Sequence, residues 1–211
     1  ILGSIHLAKP ELYPLDNAIT KAYGKSDVLV VEVDPSSEAS VAMMQEVMLH
    51  SGRYLTGMSL KTQLSDTTYR YLLSYVKQRG LSMDKMQSMK PWVVMLQLTL
   101  TEMLRLGYSP KLGIDQYFLN KARSENKPVA ELETAEEQMA LLSKDDDAFQ
   151  DKLLLYTMKS MTELEPLLKR MFISWKEGDS DSMERIISVP LDEDPGLQVV
   201  YDELITERNH K

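Results

Sequence analysis

The 211-residue sequence contains no cysteine, which excludes a disulfide framework, a thiolate nucleophile and a zinc site built on cysteine. Only nine glycines are present, and none of them forms a dinucleotide-binding GxGxxG pattern or a phosphate-binding P-loop. The nucleophile elbow GxSxG and the zinc motif HExxH are also absent. The sequence therefore gives no support to the common nucleotide-binding, serine-hydrolase or HExxH-type chemistries.

Long apolar runs are missing as well. The most apolar stretch, residues 92–106, is about 15 residues long, whereas a helix that spans a bilayer needs ~20. Polar residues interrupt it at Gln97, Thr99, Thr101, Glu102 and Arg105. We therefore expect this stretch to form a buried core helix.

Composition and charge narrow the class of protein further. Hydrophobic residues make up 43% of the chain and charged residues 27%, a balance typical of one globular domain over residues 1–211. Because 24 Lys and Arg stand against 32 Asp and Glu, the net charge of −8 argues against binding to nucleic acid. The chain begins inside an apolar run without an initiator Met and ends directly after a predicted helix, so we expect it to be part of a longer protein.

Three segments predict strands, at residues 2–6, 27–34 and 128–132. The second, Asp-Val-Leu-Val-Val-Glu-Val-Asp, is a β-branched run typical of a strand buried on both faces of a parallel sheet. Apolar residues at helical spacing between the first two strands indicate a βαβ unit.

Helical patterns dominate the rest of the chain. Gly24 is expected to cap the first helix, Thr134 to open a capping box, and Pro166 to kink or divide the helical region 146–177. Besides that region, helices are predicted over residues 15–23, 38–50, 66–79, 91–106, 114–125, 135–142 and 197–207. The sequence thus predicts an α/β fold: a small, mainly parallel sheet flanked by many helices, with residues 38–106 as a large helical insertion between the second and third strands.

The residues best suited to catalysis lie at the predicted strand ends. His6 ends the first strand, Glu32 lies near the end of the second, and Glu133 follows the third. Because the carboxyl ends of parallel strands meet at one edge, where open α/β sheets place ligands, these side chains are expected to converge. One His and two carboxylates can hold a catalytic divalent metal, which uses three protein ligands and an open position. Alternatively, Glu32 or Glu133 is a general base.

Structural roles compete with these interpretations. A carboxylate is costly to bury alone, so Glu32 could simply be paired with Lys or Arg. Asp34 before Pro35 is expected to end its strand in a turn, and His50 to stabilise the end of a helix. The 14 methionines are expected mainly to pack in the core, although Met-rich faces also suit adaptable partners.

Short motifs spread over nearly the whole chain occur in a characteristic order. They are Leu-Gly-Ser-Ile-His-Leu at residues 2–7, Tyr-Pro-Leu at 13–15, the strand ending in Glu-Val-Asp at 32–34, Lys-Pro-Trp at 90–92, Gly-Ile-Asp-Gln-Tyr-Phe at 113–118, Lys-Pro-Val at 127–129, Leu-Glu-Thr at 132–134, Glu-Glu-Gln at 136–138 and Glu-Arg-Asn at 207–209. Each motif alone is weakly specific, but their order makes the set specific. Together they resemble the TraB/GumN/Tiki family.

This resemblance implies an α/β fold with two Gly-x-x-His motifs and, in the Tiki branch, metal-dependent peptidase activity. Gly3 and His6 match the first motif, which implies that His6 is a metal ligand, and Glu32 matches the family's acidic residue as a ligand or base. Further candidate catalytic residues, whose roles the resemblance leaves open, are Glu133, Asp115 and Arg208.

The sequence departs from the family pattern in one respect. The second Gly-x-x-His motif, which in the family follows the Arg-Asn pair by a short helix and a strand, is absent from residues 1–211. We therefore expect the chain to lack the last core strand and half of the site. An unpaired strand edge is a template for pairing, so a homodimer through that edge is a further expectation.

The function implied by the resemblance is that of a metal-dependent hydrolase acting on a peptide or protein substrate. A divalent cation such as Mn, Co or Zn would activate water, and Arg208 would orient a carboxylate or stabilise an oxyanion. Members of the TraB branch are associated with shutting down peptide-pheromone signalling. The alternative is therefore a non-catalytic module that sequesters a signalling peptide in a groove formed by the Met-rich insertion.

Haem binding is a third option, in which His, Met or Tyr would supply the axial ligand because Cys is lacking. Many bacterial relatives with these motifs carry export signals, so an exported location, periplasmic or in the cell envelope, is expected for the parent protein. A membrane anchor in the parent is a further expectation.

Overall fold

The computed structural model describes residues 2–143 and 146–193. Within these residues the fold consists of helices around one short sheet, with 3₁₀ turns at Pro10–Leu12 and Pro110–Leu112. The helices and strands are α1 (Asn17–Lys25), β1 (Leu29–Val31), α2 (Glu38–His50), α3 (Leu60–Gln63), α4 (Asp66–Gln78), α5 (Pro91–Arg105), α6 (Ile114–Glu125), β2 (Val129–Glu131), α7 (Ala135–Leu142), α8 (Asp147–Ser160), α9 (Leu164–Glu177) and α10 (Ser180–Glu193).

The sheet of the described chain consists of β1 and β2, which run parallel. Leu29 is in register with Val129, and Val31 with Glu131. Because α2 to α6 lie between the two strands in sequence, the predicted α/β class and the helical insertion between the second and third predicted strands are both confirmed.

The predicted strand at residues 2–6 is wrong. Residues 2–5 have no regular secondary structure, and the carbonyl of Ile5 accepts a hydrogen bond from the amide of Ile114, at 2.8 Å. Among residues 2–143 and 146–193, the main chain forms an isolated antiparallel bridge at Ala8, opposite Ser109. Within the part of the chain that the structure describes, the Ile5 carbonyl is therefore bound by the N-terminal end of α6 and not by a neighbouring strand.

Local capping residues fix most helix boundaries. Ser37 accepts from the amide of Ser40 at the start of α2, and Thr134 forms the predicted capping box with Glu137 at the start of α7. Gly24, predicted as a C-terminal cap, lies inside α1, and Ser26 occupies the cap position instead.

The long helical region after residue 146 is divided, as predicted. α8 ends at Ser160 and α9 begins at Leu164, so that Pro166 lies in the first turn of α9. Proline is tolerated there because the first-turn amides have no partner within the helix. Helix α10 was not predicted, while the predicted helix 197–207 lies outside the described residues.

The described residues form two compact units, and the predicted single domain stays a prediction. The first contains residues 2–53 and 96–142, and its core includes Leu12, Tyr23, Val31 and Leu119. It holds the sheet together with α1, α2, α6 and α7.

The second unit contains residues 54–95, 143 and 146–193. Its core includes Leu60, Leu72, Trp92 and Leu154, and α4 packs on α8.

Among the described residues of both units, no helix is long and apolar enough to cross a membrane. The predicted helix at residues 91–106 is confirmed as α5, with Trp92, Val94 and Leu98 fully buried.

Candidate functional site

The loop that carries His6 lies against the N-terminal end of α6. Gly113 is the N-cap of this helix, and an added Cβ at Gly113 would lie 2.3 Å from the carbonyl oxygen of His6. Real side chains do not approach a carbonyl oxygen so closely, so the contact requires glycine. The amide of Ile114 donates to the carbonyl of Ile5, at 2.8 Å, and fixes the two segments together.

Asp115, in the first turn of α6, binds two side chains of this loop. His6 Nδ1 lies 2.7 Å from Asp115 Oδ2, and the Ser4 hydroxyl donates to Asp115 Oδ1. The Asp115 side chain is 16% exposed, whereas the His6 side chain is 65% exposed. An exposed imidazole is thus bound through Nδ1 to a nearly buried carboxylate.

The pKa of Asp115 is lowered from its ordinary value. Burial acts to raise it, but the hydrogen bonds from His6 and Ser4 favour the charged form and outweigh that effect. A carboxylate in the first turn of a helix is also stabilised by the helix dipole. Asp115 is therefore ionised at neutral pH.

Tyr13 also contacts the turn that precedes α6. Its hydroxyl donates to the carbonyl of Leu112 at 2.9 Å, next to Gly113, and its ring lies 5.2 Å from that of Tyr117. Burial raises the pKa of Tyr13, so its hydroxyl keeps its proton at neutral pH. Two of the sequence motifs, at residues 2–7 and 113–118, thus meet in one structural element, with the motif at 13–15 packed on it.

The two strand-end glutamates come together through their main chains. The amide of Glu133 donates to the carbonyl of Glu32, at 2.9 Å, directly beyond the paired strands. This follows from the parallel pairing of β1 and β2, which brings both carboxyl ends to one edge. Both side chains are partly exposed.

A second cluster of polar residues lies at this edge. Asp34 is buried, accepts from the amide and hydroxyl of Ser36 at 3.0 and 2.7 Å, and lies 2.5 Å from Nη2 of Arg123. Its amide donates to Glu131 Oε1, at 2.5 Å. The hydrogen bonds to Ser36 form the predicted turn. The sequence did not predict that Arg123 and Glu131 bind Asp34.

A recess of about 250 Å³ opens beside this cluster, at the N-terminal ends of α2 and α7. It is lined by Glu131 and Glu136, by the hydroxyls of Ser37 and Thr134, and by the side chain of Met43. The sheet edge therefore offers a space with acidic, hydroxyl and apolar walls.

Among residues 2–143 and 146–193, no group of three or more His, Asp or Glu residues could hold a metal ion. His6, Glu32 and Glu133 thus do not form such a group. His6 fits the chemistry of a metal ligand by itself, since its ring is exposed and bound to a carboxylate. Arg208 lies outside the described residues, so the structure gives it no position.

The sequence contains little that indicates the contacts of Ser4 with Asp115 and of Arg123 with Asp34. Ser4 lies within the Gly-Ser-Ile-His sequence, and its spacing from His6 would allow both to reach one partner. Nothing in the sequence connects Arg123 with Asp34, which is 89 residues away.

The fold, and the contact between the motifs at residues 2–7 and 113–118, point to one class of protein. The chain belongs to the TraB/PrgY/gumN family, whose model matches residues 1–211. The resemblance noted in the sequence is thereby confirmed.

Two curated relatives share the full extent of the chain. The uncharacterized protein YbaP of Escherichia coli (strain K12) is 27% identical over 213 residues, which cover 99% of this chain and 74% of that protein. YbaP of Shigella flexneri matches with the same identity and coverage. No solved structure matches the chain.

Proposed function

We propose that this chain carries part of the site of a metal-dependent hydrolase that acts on peptides, with His6 as a metal ligand. One observation carries the proposal: the exposed imidazole of His6 is held at Nδ1 by the nearly buried carboxylate of Asp115, 2.7 Å away. Membership of the family is consistent with the proposal but does not assign the activity.

The chemistry of this pair supports the ligand role. A histidine that binds a metal almost always donates its other ring N–H to a carboxylate or carbonyl, which orients the ring and raises its basicity. A bound divalent cation would polarise a peptide carbonyl and lower the pKa of water. Mn, Co and Zn all accept imidazole and carboxylate ligands.

The strand-end carboxylates supply the second part of the proposal. Glu32 and Glu133 share one edge of the sheet, and we assign Glu32 as a further ligand or as the general base. The adjoining recess, with Met43 and Glu131 in its walls, provides space for a substrate side chain. The described residues do not complete a metal site, so we assign no further ligand.

The test is peptide cleavage by the purified full-length protein. After treatment with a chelator, the protein is supplied with Mn²⁺, Co²⁺ or Zn²⁺ and incubated with a peptide library, and products are identified by mass spectrometry. We expect metal-dependent cleavage that His6→Ala abolishes and Glu32→Gln strongly reduces. The matched control is His50→Ala, because His50 is an exposed histidine at the end of α2.

Two outcomes would overturn the proposal. One is the absence of cleavage with all three ions, and the other is undiminished activity in both His6→Ala and Glu32→Gln. Recovery of an intact, stoichiometric peptide complex without metal would instead establish the sequestering module as the function.

A further inference from the structure

We infer that Asp115 is a positioning residue, which holds neutral His6 in the tautomer that carries its proton on Nδ1 and its lone pair on Nε2. The inference takes its functional meaning from the proposed hydrolase. The tautomer itself follows from the geometry of the loop and α6.

Hydrogen-bonding capacity decides the tautomer. An aspartate is ionised at neutral pH and then accepts hydrogen bonds but donates none. Because Asp115 Oδ2 lies 2.7 Å from His6 Nδ1, the hydrogen between them must belong to the imidazole. A neutral ring has one N–H, so its lone pair is then on Nε2, the atom that can bind a cation or accept a proton.

The surroundings of Asp115 keep this geometry in place. Its other oxygen, Oδ1, accepts from the hydroxyl of Ser4, so the carboxylate is bound on both sides. Behind it, the amide of Ile114 binds the carbonyl of Ile5, and Gly113 leaves no space between the helix and the loop. The ring therefore meets a carboxylate that is fixed in position and not a mobile surface side chain.

Free histidine in water favours the opposite tautomer, with its proton on Nε2. A histidine that is to bind a cation through Nε2 must therefore be held against this preference. The second role of the carboxylate is to raise the basicity of the ring. Asp115 thus acts on the reaction through His6 and does not contact the substrate.

The test is an NMR measurement on the metal-free protein. Long-range ¹H–¹⁵N correlation spectra of the ¹⁵N-labelled chain, recorded where the imidazoles are neutral, report which nitrogen of each histidine is protonated. His6→Ala assigns the His6 signals, and His50 serves as an internal reference. We expect a protonated Nδ1 and an unprotonated Nε2 for His6. A His6 that is protonated mainly on Nε2 would overturn the inference.

Variants of Asp115 add a functional readout. In Asp115→Ala the His6 signals should shift to the Nε2-protonated form, and the affinity for Co²⁺ should fall by about 10- to 100-fold, as for other outer-shell partners. Asp115→Glu, which keeps a carboxylate, should retain part of the Nδ1-protonated form of His6 and part of the affinity for Co²⁺. An unchanged tautomer in Asp115→Ala would contradict the inference, and the wild-type spectrum decides the tautomer even if that variant does not fold.

The two proposals fail in different ways. If the wild-type chain binds no metal but His6 is protonated on Nδ1, the hydrolase proposal is wrong and the tautomer assignment stands. If Co²⁺ binding depends on His6 but the tautomer is the opposite one, the positioning role of Asp115 is wrong and the ligand role of His6 stands.

Discussion

Arg123 Nη2 in the last turn of α6 lies 2.5 Å from Oδ2 of Asp34, just beyond the end of β1. The Asp34 side chain is 13% exposed and that of Arg123 is 44% exposed, so the guanidinium partly shields a buried carboxylate from water. This ion pair connects the helix that carries Asp115 to the edge of the sheet where Glu32 and Glu133 meet. The Arg123–Asp34 ion pair therefore links the His6–Asp115 pair to the strand-end glutamates of the proposed site.

Replacement of Asp34 by Asn should destabilise the chain in a pH-dependent way. Burial acts to raise the pKa of Asp34, but the hydrogen bonds from Ser36 and Arg123 lower it below the ordinary value of 3.8. A lowered pKa in the folded state stabilises the protein above the unfolded value, and this stabilisation is lost as the pH falls through the folded one.

We therefore expect Asp34→Asn to lower the free energy of unfolding by about 2 kcal/mol at pH 7, after allowance for the partly exposed Arg123. The difference should stay constant from about pH 5 to 8 and shrink below about pH 4. Urea denaturation at several pH values measures it, with Asp27→Asn as the exposed control. Equal urea midpoints for wild type and Asp34→Asn at pH 7 would contradict this prediction.

Replacement of Gly113 by Ala should separate the His6 loop from α6. The φ angle of Gly113 is −62°, which alanine adopts readily, so the whole effect comes from the added Cβ against the His6 carbonyl. Because that neighbour is main chain, one segment must move, and we expect a loss of about 1–3 kcal/mol in the free energy of unfolding.

The matched control is Gly24→Ala. Gly24 lies within α1, and an added Cβ there has no atom within 4 Å. Alanine favours the helix over glycine, so this variant should be stabilised by up to about 1 kcal/mol. Chemical denaturation of both variants measures the contrast, and an equal effect of the two substitutions would show that the close approach at Gly113 is unimportant.

Lys127 stabilises the end of α1, according to its contacts. Its Nζ donates to the carbonyls of Tyr23 and Ser26 at 2.7 and 2.5 Å and lies 4.2 Å from the centre of the Tyr23 ring. Lys127→Met removes these charge-assisted hydrogen bonds and should cost about 1–3 kcal/mol in the free energy of unfolding.

Lys121→Met serves as the comparison, because Lys121 forms an i,i+4 pair with Glu125 on the surface of α6. Such pairs contribute about 0.2–0.5 kcal/mol. Thermal and urea denaturation of the two variants should therefore differ clearly, and similar losses would refute the capping role of Lys127.

Local signals in the sequence predict the helices well. The bounds of α2, α6 and α7 match their predictions because each begins at a recognisable cap and continues with helical periodicity. The parallel pairing of β1 and β2 also follows from the sequence, since a long helical connection favours a parallel crossover.

The strand at residues 2–6 could not be excluded from the sequence. A short apolar run fits a strand, but here the carbonyl of Ile5 is bound by Ile114, more than a hundred residues away. The pairing of His6 with Asp115 depends on the same long-range contact. The close approach at Gly113, which helps to bring these segments together, is likewise not revealed by the sequence.

The most direct test of the central claim is a calorimetric titration of Co²⁺ into the metal-free chain. We expect one site, whose affinity for Co²⁺ falls in His6→Ala by more than the roughly 10- to 100-fold that the loss of an outer-shell partner costs. His50→Ala should bind Co²⁺ like the wild type. Equal affinities of the wild type and His6→Ala would contradict the account, because His6 would then not be a metal ligand.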